Sequence, residues 1–210
     1  MITDKKPVLF FGGTFNPPHY GHTNLIQYVL SQMEFSRIYI VPSYHPPHKP
    51  ESGSASFQDR LEMTRIMFCN PDLPPNVEIS DMEKNLETPS YSWRTLDYLH
   101  KLHPGIKIYM LIGMDMYINL RLWENYNELV KQNSFIILKR ENMPIPEIST
   151  GDILLNNPHW NISSIEIREI IANSVLSENG KKLDGSLQSR LEKLISPDLL
   201  QYILEHRVYR

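Results

Sequence analysis

Residues 8–22 of the chain read VLFFGGTFNPPHYGH, and this segment carries much of the information on fold and chemistry. An apolar run over residues 8–11 stops at Gly12 and Gly13, which predicts a buried strand that enters a tight loop. Over residues 21–33 apolar side chains recur at helical spacing, so a helix should follow. Glycines let a backbone approach phosphate closely, and the first turn of a helix offers unpaired N–H groups. The segment therefore predicts a phosphate-binding loop.

The loop also brings two imidazoles to the start of that helix. His19 and His22 are three positions apart, and Gly21 leaves space between them. Imidazoles at this place can donate hydrogen bonds to phosphoryl oxygens and stabilise the charge that grows as phosphorus becomes five-coordinate. From spacing alone, polar loop residues or helix caps fit equally well. A zinc site fits poorly, because two histidines need further ligands and the single cysteine, Cys69, lies far away in a helical pattern.

The rest of the chain alternates between strand-like and helix-like segments. Further strands are predicted at residues 37–41, 77–80, 107–112 and 134–139, and helices at residues 57–69, 90–102, from 163 onward and at 197–205. This alternation predicts an α/β fold with a doubly wound, mainly parallel sheet, helices on both faces and ligands at the carboxyl ends of the strands. No repeat or linker divides residues 1–210, so we expect one domain with a helical part from about residue 163. We expect the polar residues 173–190 to form a surface segment of low order.

Composition and charge argue against several classes of protein. The formal net charge of the 210 residues is −3, which argues against a broad basic surface for nucleic acid. No apolar stretch is long enough to predict a membrane span and the amino terminus has no signal-peptide pattern, so we expect a cytoplasmic protein. The single cysteine excludes an internal disulfide, and its apolar neighbours predict a core position for Cys69. The oligomeric state is left open.

The segment GGTFNPPHYGH resembles the (H/T)xGH signature of the adenylyl- and cytidylyltransferase superfamily. It has the two histidines typical of the nicotinate-mononucleotide adenylyltransferases. Later segments resemble the same family in the same order: PPHK at 46–49, SYSWRTL at 90–96, IGMD at 112–115, LW at 122–123 and ISSIEIR at 162–168. The terminal VYR at 208–210 is also similar, so the resemblance covers nearly the whole chain.

The resemblance implies a Rossmann-like nucleotidyltransferase fold and a defined reaction. The 5'-phosphate of nicotinate mononucleotide attacks the α-phosphorus of ATP, and pyrophosphate leaves. Mg2+ is the implied cofactor, bound mainly through ATP phosphates and water, which suits its preference for octahedral oxygen ligands. Two alternatives stay open: another acceptor such as nicotinamide mononucleotide or phosphopantetheine, and a nucleotide-binding sensor that has kept the fold and lost the chemistry.

The resemblance also implies which residues contact ATP. His19, His22 and Arg168 are the implied catalytic residues, which bind phosphates and stabilise the transition state. The remaining implied ATP contacts come from the same segments: Gly12, Gly13, Thr14, Phe15, Gly21, Gly113, Asp115, Ser163 and Ser164. An arginine in the first turn of a helix can donate forked hydrogen bonds to phosphate oxygens. Without the other family-like segments, an arginine at this position would more often be a solvated residue.

A second set of residues is implied to hold the mononucleotide: Lys49, Tyr91, Ser92, Asp115 and Trp123. Lys49 follows two prolines that stiffen its loop, so its charge can be held over a substrate phosphate; an exposed surface lysine is the alternative. Trp123 is implied to stack on the pyridine ring, with a core position as an equal alternative. Asp115 is implied to accept from ribose hydroxyls. The backbone N–H groups at Tyr91 and Ser92 are implied to bind the carboxylate.

A few residues depart from the family pattern. Asn16 stands where Asp is commoner, and either side chain supports the turn. Ile165 replaces a threonine and removes one hydroxyl. Arg140 begins the triplet REN where RPG is frequent, so a phosphate role for Arg140 is weakly supported. Ser163, followed three residues later by Glu166, fits a capping box at a helix start.

Overall fold

A computed structural model of the protein describes residues 5–47, 55–69, 73–174 and 184–209. Its sheet consists of the strands β1 (Val8–Gly13), β2 (Arg37–Pro42), β3 (Val77–Ile79), β4 (Ile108–Gly113), β5 (Ser134–Leu138) and β6 (Ile153–Leu155). The strands lie in the order β3-β2-β1-β4-β5-β6, and every neighbouring pair is parallel. The strand order reverses between β1 and β4, which is the place where such sheets bind ligands at their carboxyl edge. The predicted doubly wound, mainly parallel α/β fold is confirmed.

Helices alternate with these strands along the chain. They are α1 (Tyr20–Gln32), α2 (Phe57–Phe68), α3 (Ser92–Leu102), α4 (Met114–Ile118), α5 (Tyr126–Gln132), α6 (Ser164–Ala172), α7 (Gly185–Leu191) and α8 (Pro197–Glu205), with short 3-10 helices at Met82–Asn85 and Leu120–Leu122. The sequence did not predict β6, α4 or α5, because segments of three to seven residues are too short for a period to be recognised. None of the helices in these ranges is long and apolar enough to cross a membrane.

The expected low order of residues 173–190 is wrong for its described carboxyl-terminal part. Helix α7 begins there, because the side chain of Asp184 accepts a hydrogen bond from the backbone N–H of Ser186 at 2.9 Å and caps the first turn. Leu191 ends the helix and is fully buried. Residues 175–183 lie outside the described residues.

The chain forms two compact units. The first consists of Met1–Gly13, Tyr28–Pro47 and Pro74–His159, and the second of Thr14–Gln27, His48–Leu73 and Trp160–Arg210. The single domain expected from the sequence stays a prediction.

The first unit contains the whole sheet. Strand β4 reads IYMLI over residues 108–112 and is buried throughout, as expected for a central parallel strand that is covered on both faces. Alternate residues of β1 and β4 point to one face, where Phe10 and Met110 join the main apolar cluster. Helix α3 packs on that face through Leu96 and Leu99, both fully buried.

The second unit is helical. Helix α8 packs on α2, and Leu199 and Ile203 of α8 are fully buried, which agrees with the predicted spacing. The hydroxyl of Tyr202 donates to Asp59 of α2 at 3.0 Å. The expected core position of Cys69 is wrong. Helix α2 ends at Phe68, so Cys69 leaves the helical face and its side chain is exposed.

Candidate active site

The glycine loop begins at the carboxyl end of β1. A Cβ on Gly12 would lie 2.7 Å from the ring of Phe10, so only glycine fits beside that buried side chain. Gly113 ends the neighbouring strand β4, and a Cβ there would lie 2.5 Å from a carboxylate oxygen of Asp115. The two glycine segments therefore lie at the same edge of the sheet, the edge predicted to bind the nucleotide.

The two predicted catalytic imidazoles are brought together by the start of α1. The ring centres of His19 and His22 are 3.8 Å apart. The backbone N–H of His19 donates to Nδ1 of His22 at 3.2 Å, so the neutral form of His22 carries its proton on Nε2. The ring of Phe15 meets that of His22 edge-on, with 5.1 Å between ring centres. His22 is thereby held in an orientation that makes Nε2–H a hydrogen-bond donor.

Gly21 makes this arrangement of rings possible. A Cβ at residue 21 would lie 2.9 Å from both Cε1 and Nδ1 of the His19 ring, closer than real Cβ atoms approach. The HxGH spacing thus has a steric reason, because any larger residue would displace His19.

Burial keeps His19 neutral. Its side chain is 7% exposed, and this desolvation lowers the pKa of His19 from 6.5 to about 4. Its Nδ1 is buried without a hydrogen-bond partner among the described residues. A buried polar atom of this kind is normally paired, so His19 has a hydrogen bond to offer to a ligand.

Helix α6 contacts the same loop through Arg168 and Ser164. Nη1 of Arg168 donates to the carbonyl of Asn16 at 2.7 Å and to that of Ser164 at 3.3 Å. The hydroxyl of Ser164 donates to the carbonyl of Pro17 at 2.8 Å. A guanidinium has five N–H donors, and these contacts involve only Nη1. Arg168 can therefore hold the loop and still present Nε and Nη2 to a phosphate.

The amino terminus of α6 is capped as predicted. The side chain of Ser163 accepts from the backbone N–H of Ile165 at 3.2 Å. In a capping box, the carboxylate of Glu166 would accept from the backbone N–H of Ser163. Here it accepts instead from Arg190 at 2.6 Å, in an ion pair. Ile165 is 58% exposed at the place where a hydroxyl is commoner.

Sequence reasoning missed a second arginine that binds the loop. Arg60 of α2 is 4% exposed, and its Nη1 donates to the carbonyl of Thr14 at 2.9 Å. Its Nε donates to the carbonyl of Ala55 at 3.3 Å. A sequence signal was present, because residue 60 lies three and seven positions before the apolar Met63 and Met67, on the same face of α2.

In the first unit, Asp115 forms an ion pair with Arg140. The Nε of Arg140 donates to Oδ1 of Asp115 at 3.2 Å, and the two side chains are 51% and 46% exposed. The structure thus shows Arg140 as the partner of Asp115. A contact of Arg140 with phosphate stays a prediction. Trp123 is partly buried and packs against the main apolar cluster. This packing agrees with the core alternative; stacking on a pyridine ring stays a prediction.

Helix α3 begins where the carboxylate-binding N–H groups are expected, with Tyr91 as the residue before it and Ser92 as its first residue. The residue before them, Ser90, is tied to the loop after β2. The N–H of Ser90 donates to the carbonyl of His45, and the N–H of His45 donates to Oγ of Ser90, both at 2.9 Å. Lys49, further along that loop, lies outside the described residues.

A buried carboxylate that the sequence did not reveal supports the same loop. Glu83 is 4% exposed, and its two oxygens accept from the backbone N–H of Tyr44 at 3.0 Å and from Oγ1 of Thr95 at 2.8 Å. It thereby links the loop after β2 to α3. In the described ranges, no three His, Cys, Asp or Glu side chains are grouped so that they could hold a metal ion.

Comparison with known proteins agrees with this geometry. Residues 10–170 match the cytidylyltransferase-like family. The chain is 32% identical to a Pseudothermotoga lettingae protein named "probable nicotinate-nucleotide adenylyltransferase", over 92% of this chain and 97% of that one. It is 30% identical to a protein of the same name from Listeria monocytogenes, over 98% of both.

A solved structure has the same fold. Plasmodium falciparum nicotinic acid mononucleotide adenylyltransferase, complexed with NaAD, superimposes with a TM-score of 0.78 over 97% of both chains, at 24% identity. Fold, loop and sequence match together define a nucleotidyltransferase. The chain belongs to the cytidylyltransferase-like family and, within it, to the nicotinate-nucleotide adenylyltransferases. The predicted enzyme class is confirmed.

Proposed function

We propose that the protein transfers the adenylyl group of ATP to nicotinate mononucleotide, giving deamido-NAD and pyrophosphate in cytoplasmic NAD biosynthesis. The observation that carries the proposal is the His19–His22 pair. One imidazole has a buried nitrogen that finds no hydrogen-bond partner in the described part of the chain, and the other has its proton fixed on Nε2. The names of the relatives point to the same acceptor.

The reaction is a direct displacement at phosphorus. A 5'-phosphate oxygen of the mononucleotide forms a new bond to the α-phosphorus of ATP, and the bond from that phosphorus to the β-phosphate oxygen breaks. Pyrophosphate leaves with the electron pair of the broken bond. The protein contributes positioning and charge stabilisation, because no covalent intermediate is needed.

His22 donates from Nε2 to an oxygen on the α-phosphorus, where negative charge grows in the transition state. His19 offers its own N–H while neutral, since its pKa of about 4 keeps it uncharged near pH 7. Arg168 presents Nε and Nη2 to the triphosphate while Nη1 holds the carbonyl of Asn16. Gly12 and Gly13 let the backbone come close to the phosphates.

Mg2+ bound to ATP supplies positive charge against the triphosphate and orients its oxygens. In the proposal, phosphates and water are the main ligands of Mg2+, which suits its preference for octahedral oxygen ligands.

In the proposal, backbone and side-chain groups from several segments of the chain bind the acceptor. N–H groups at the start of α3, at Tyr91 and Ser92, receive the nicotinate carboxylate, which the helix dipole favours. The N–H of Tyr91 donates to the carbonyl of Pro89 at 2.8 Å, so in the proposal it exchanges this partner for the carboxylate when the acceptor binds. Asp115, fixed by Arg140, accepts from ribose hydroxyls. Trp123 provides a flat face for the pyridine ring. Lys49 binds the acceptor phosphate.

The test uses purified protein, ATP and Mg2+ with nicotinate or nicotinamide mononucleotide in parallel reactions, and measures dinucleotide and pyrophosphate. We expect the acid to be preferred, by at least about tenfold in kcat/KM, because N–H donors at a helix start favour a carboxylate. A preference for the amide would mean that nicotinamide mononucleotide is the acceptor. ATP binding with no pyrophosphate from either acceptor would identify a nucleotide sensor instead.

A further inference from the structure

The chain reverses direction directly after α8. The N–H of Val208 donates to the carbonyl of Ile203 at 3.0 Å, and the N–H of Arg207 donates to that of Leu204 at 3.4 Å. Arg207 has φ 53, in the left-handed region. This pair of bonds around a left-handed residue is a Schellman turn. Val208, 7% exposed, stands at the position where such turns commonly place a buried apolar residue.

The reversal places Tyr209 against the phosphate loop. Its hydroxyl donates to Oδ1 of Asn16 at 2.9 Å, across 193 positions of sequence. The same hydroxyl lies 3.8 Å from Sδ of Met63. Burial holds the pKa of Tyr209 well above its usual range, so the phenol keeps its proton and stays a donor.

Asn16 connects three parts of the second unit. Its Oδ1 accepts from the hydroxyl of Tyr209 and from the N–H of Ala55 at 3.1 Å. Its backbone carbonyl accepts from Nη1 of Arg168 at 2.7 Å. Asn16 is 6% exposed, so water cannot readily replace a lost donor. A shift of Asn16 would move the carbonyl that orients Arg168.

We propose that Tyr209 is a positioning residue for ATP, which acts through Asn16 to orient the guanidinium of Arg168 and the loop that carries His19. The inference rests on the proposed adenylyl transfer. Tyr209 does not touch the reacting atoms in this scheme. Its contribution is geometric, because small displacements of a binding group are enough to lower a rate substantially.

The test compares Tyr209→Phe with Tyr202→Phe. Both substitutions remove one phenolic hydroxyl from the carboxyl-terminal segment, and Tyr202 donates to Asp59 rather than to the phosphate loop. We expect Tyr209→Phe to lower kcat/KM for ATP about tenfold, the effect of a modest misplacement, with KM for the mononucleotide within about twofold. Tyr202→Phe should keep both constants. Both variants should stay folded at the assay temperature, and Tyr209→Phe should unfold at the lower temperature because its acceptor is buried.

A double-mutant cycle with Asn16→Ala tests whether Tyr209 acts through Asn16. We expect Tyr209→Phe to add no further loss of kcat/KM for ATP in the Asn16→Ala background, since the hydroxyl then has lost its acceptor. Losses that simply multiply would overturn the proposal. So would unchanged kinetics in Tyr209→Phe, or an equal loss in Tyr202→Phe.

A failure of the positioning role of Tyr209 can be distinguished from a failure of the proposed adenylyl transfer. If the unaltered protein forms no dinucleotide with any mononucleotide, adenylyl transfer is wrong, and the affinity for ATP with Mg2+ is then measured by calorimetry. Tyr209→Phe should weaken that affinity severalfold while Tyr202→Phe does not. Equal affinities for both variants would overturn the positioning role.

Discussion

The backbone N–H of His19 donates to Nδ1 of His22 at 3.2 Å, so the first histidine of the motif fixes the tautomer of the second. The contact depends on the helix start at Tyr20, because His19 directly precedes α1 and His22 lies in its first turn. Nε2–H of His22 is consequently preorganised as a donor. A donor that is already in place when charge develops contributes more than one that must reorient.

His22→Ala should therefore lower kcat by at least about a hundredfold with a smaller change in the affinity for ATP, the size seen when a transition-state donor is lost. Steady-state kinetics and ATP binding by calorimetry measure the two effects separately. His206→Ala removes an exposed histidine at the end of α8 and should leave both unchanged. Near-normal turnover in His22→Ala would remove His22 from the catalytic scheme.

Gly21→Ala should lower turnover while the protein stays folded. A Cβ at residue 21 would meet the His19 ring at 2.9 Å, so the ring must move away from its present position. Alanine favours a helix over glycine by up to about 1 kcal/mol, which offsets part of the cost, about 1–3 kcal/mol, of displacing a buried side chain. We expect kcat to decrease at least about tenfold, as for a displaced catalytic group.

Gly185→Ala is the matched control for that variant. Gly185 begins α7, and a Cβ there would meet nothing within 4 Å. Its kinetics should equal those of the unaltered protein, with a similar gain in helix stability. If Gly21→Ala keeps full turnover, the steric explanation of the HxGH spacing is wrong.

The sheet and the phosphate loop were predictable because they leave local periodic patterns in the sequence. Apolar runs ending at Gly12 and Gly113 mark adjacent strands, and the helical spacing after Gly21 marks α1. Cys69 shows the limit of the same method. Its neighbours are apolar at helical spacing, yet α2 ends one residue earlier, and a period cannot locate a helix end that closely.

The supports of the loop were not predictable from local patterns. Arg60 binds a carbonyl 46 positions away, and Tyr209 binds a side chain 193 positions away. A backbone carbonyl is present at every residue, so the acceptor used by Arg60 leaves no mark on the residue type at Thr14. Such contacts depend on tertiary packing, and only the folded chain reveals them.

Arg168→Lys should lower kcat/KM for ATP by about tenfold or more. Arginine holds the carbonyl of Asn16 with Nη1 and keeps two further nitrogens for a phosphate, whereas a single ammonium cannot reproduce that fork. Arg190→Lys provides the control, because Arg190 forms an exposed ion pair with Glu166 that should contribute little. Unchanged KM for ATP and unchanged kcat in Arg168→Lys would contradict the assigned role.

The buried His19 should make the stability of the protein depend on pH. Its pKa is about 4 in the folded state against 6.5 as the reference for an unfolded chain. As pH falls below about 6.5, the unfolded state takes up a proton that folded His19 does not, so stability decreases until about pH 4. From these two values the loss is about 2 kcal/mol at pH 5, at 1.36 kcal/mol per pKa unit.

Urea unfolding of the unaltered protein and of His19→Asn at pH 7 and pH 5 measures this contribution. Asparagine does not titrate, so the variant should lose about 2 kcal/mol less of its unfolding free energy between the two pH values. Other titrating groups are common to both proteins and cancel in the difference. An equal loss in both would mean that His19 takes up its proton in the folded state as readily as in the unfolded chain. The neutral donor in the proposed transition state would then be wrong as well, because His19 would be partly charged before ATP arrives.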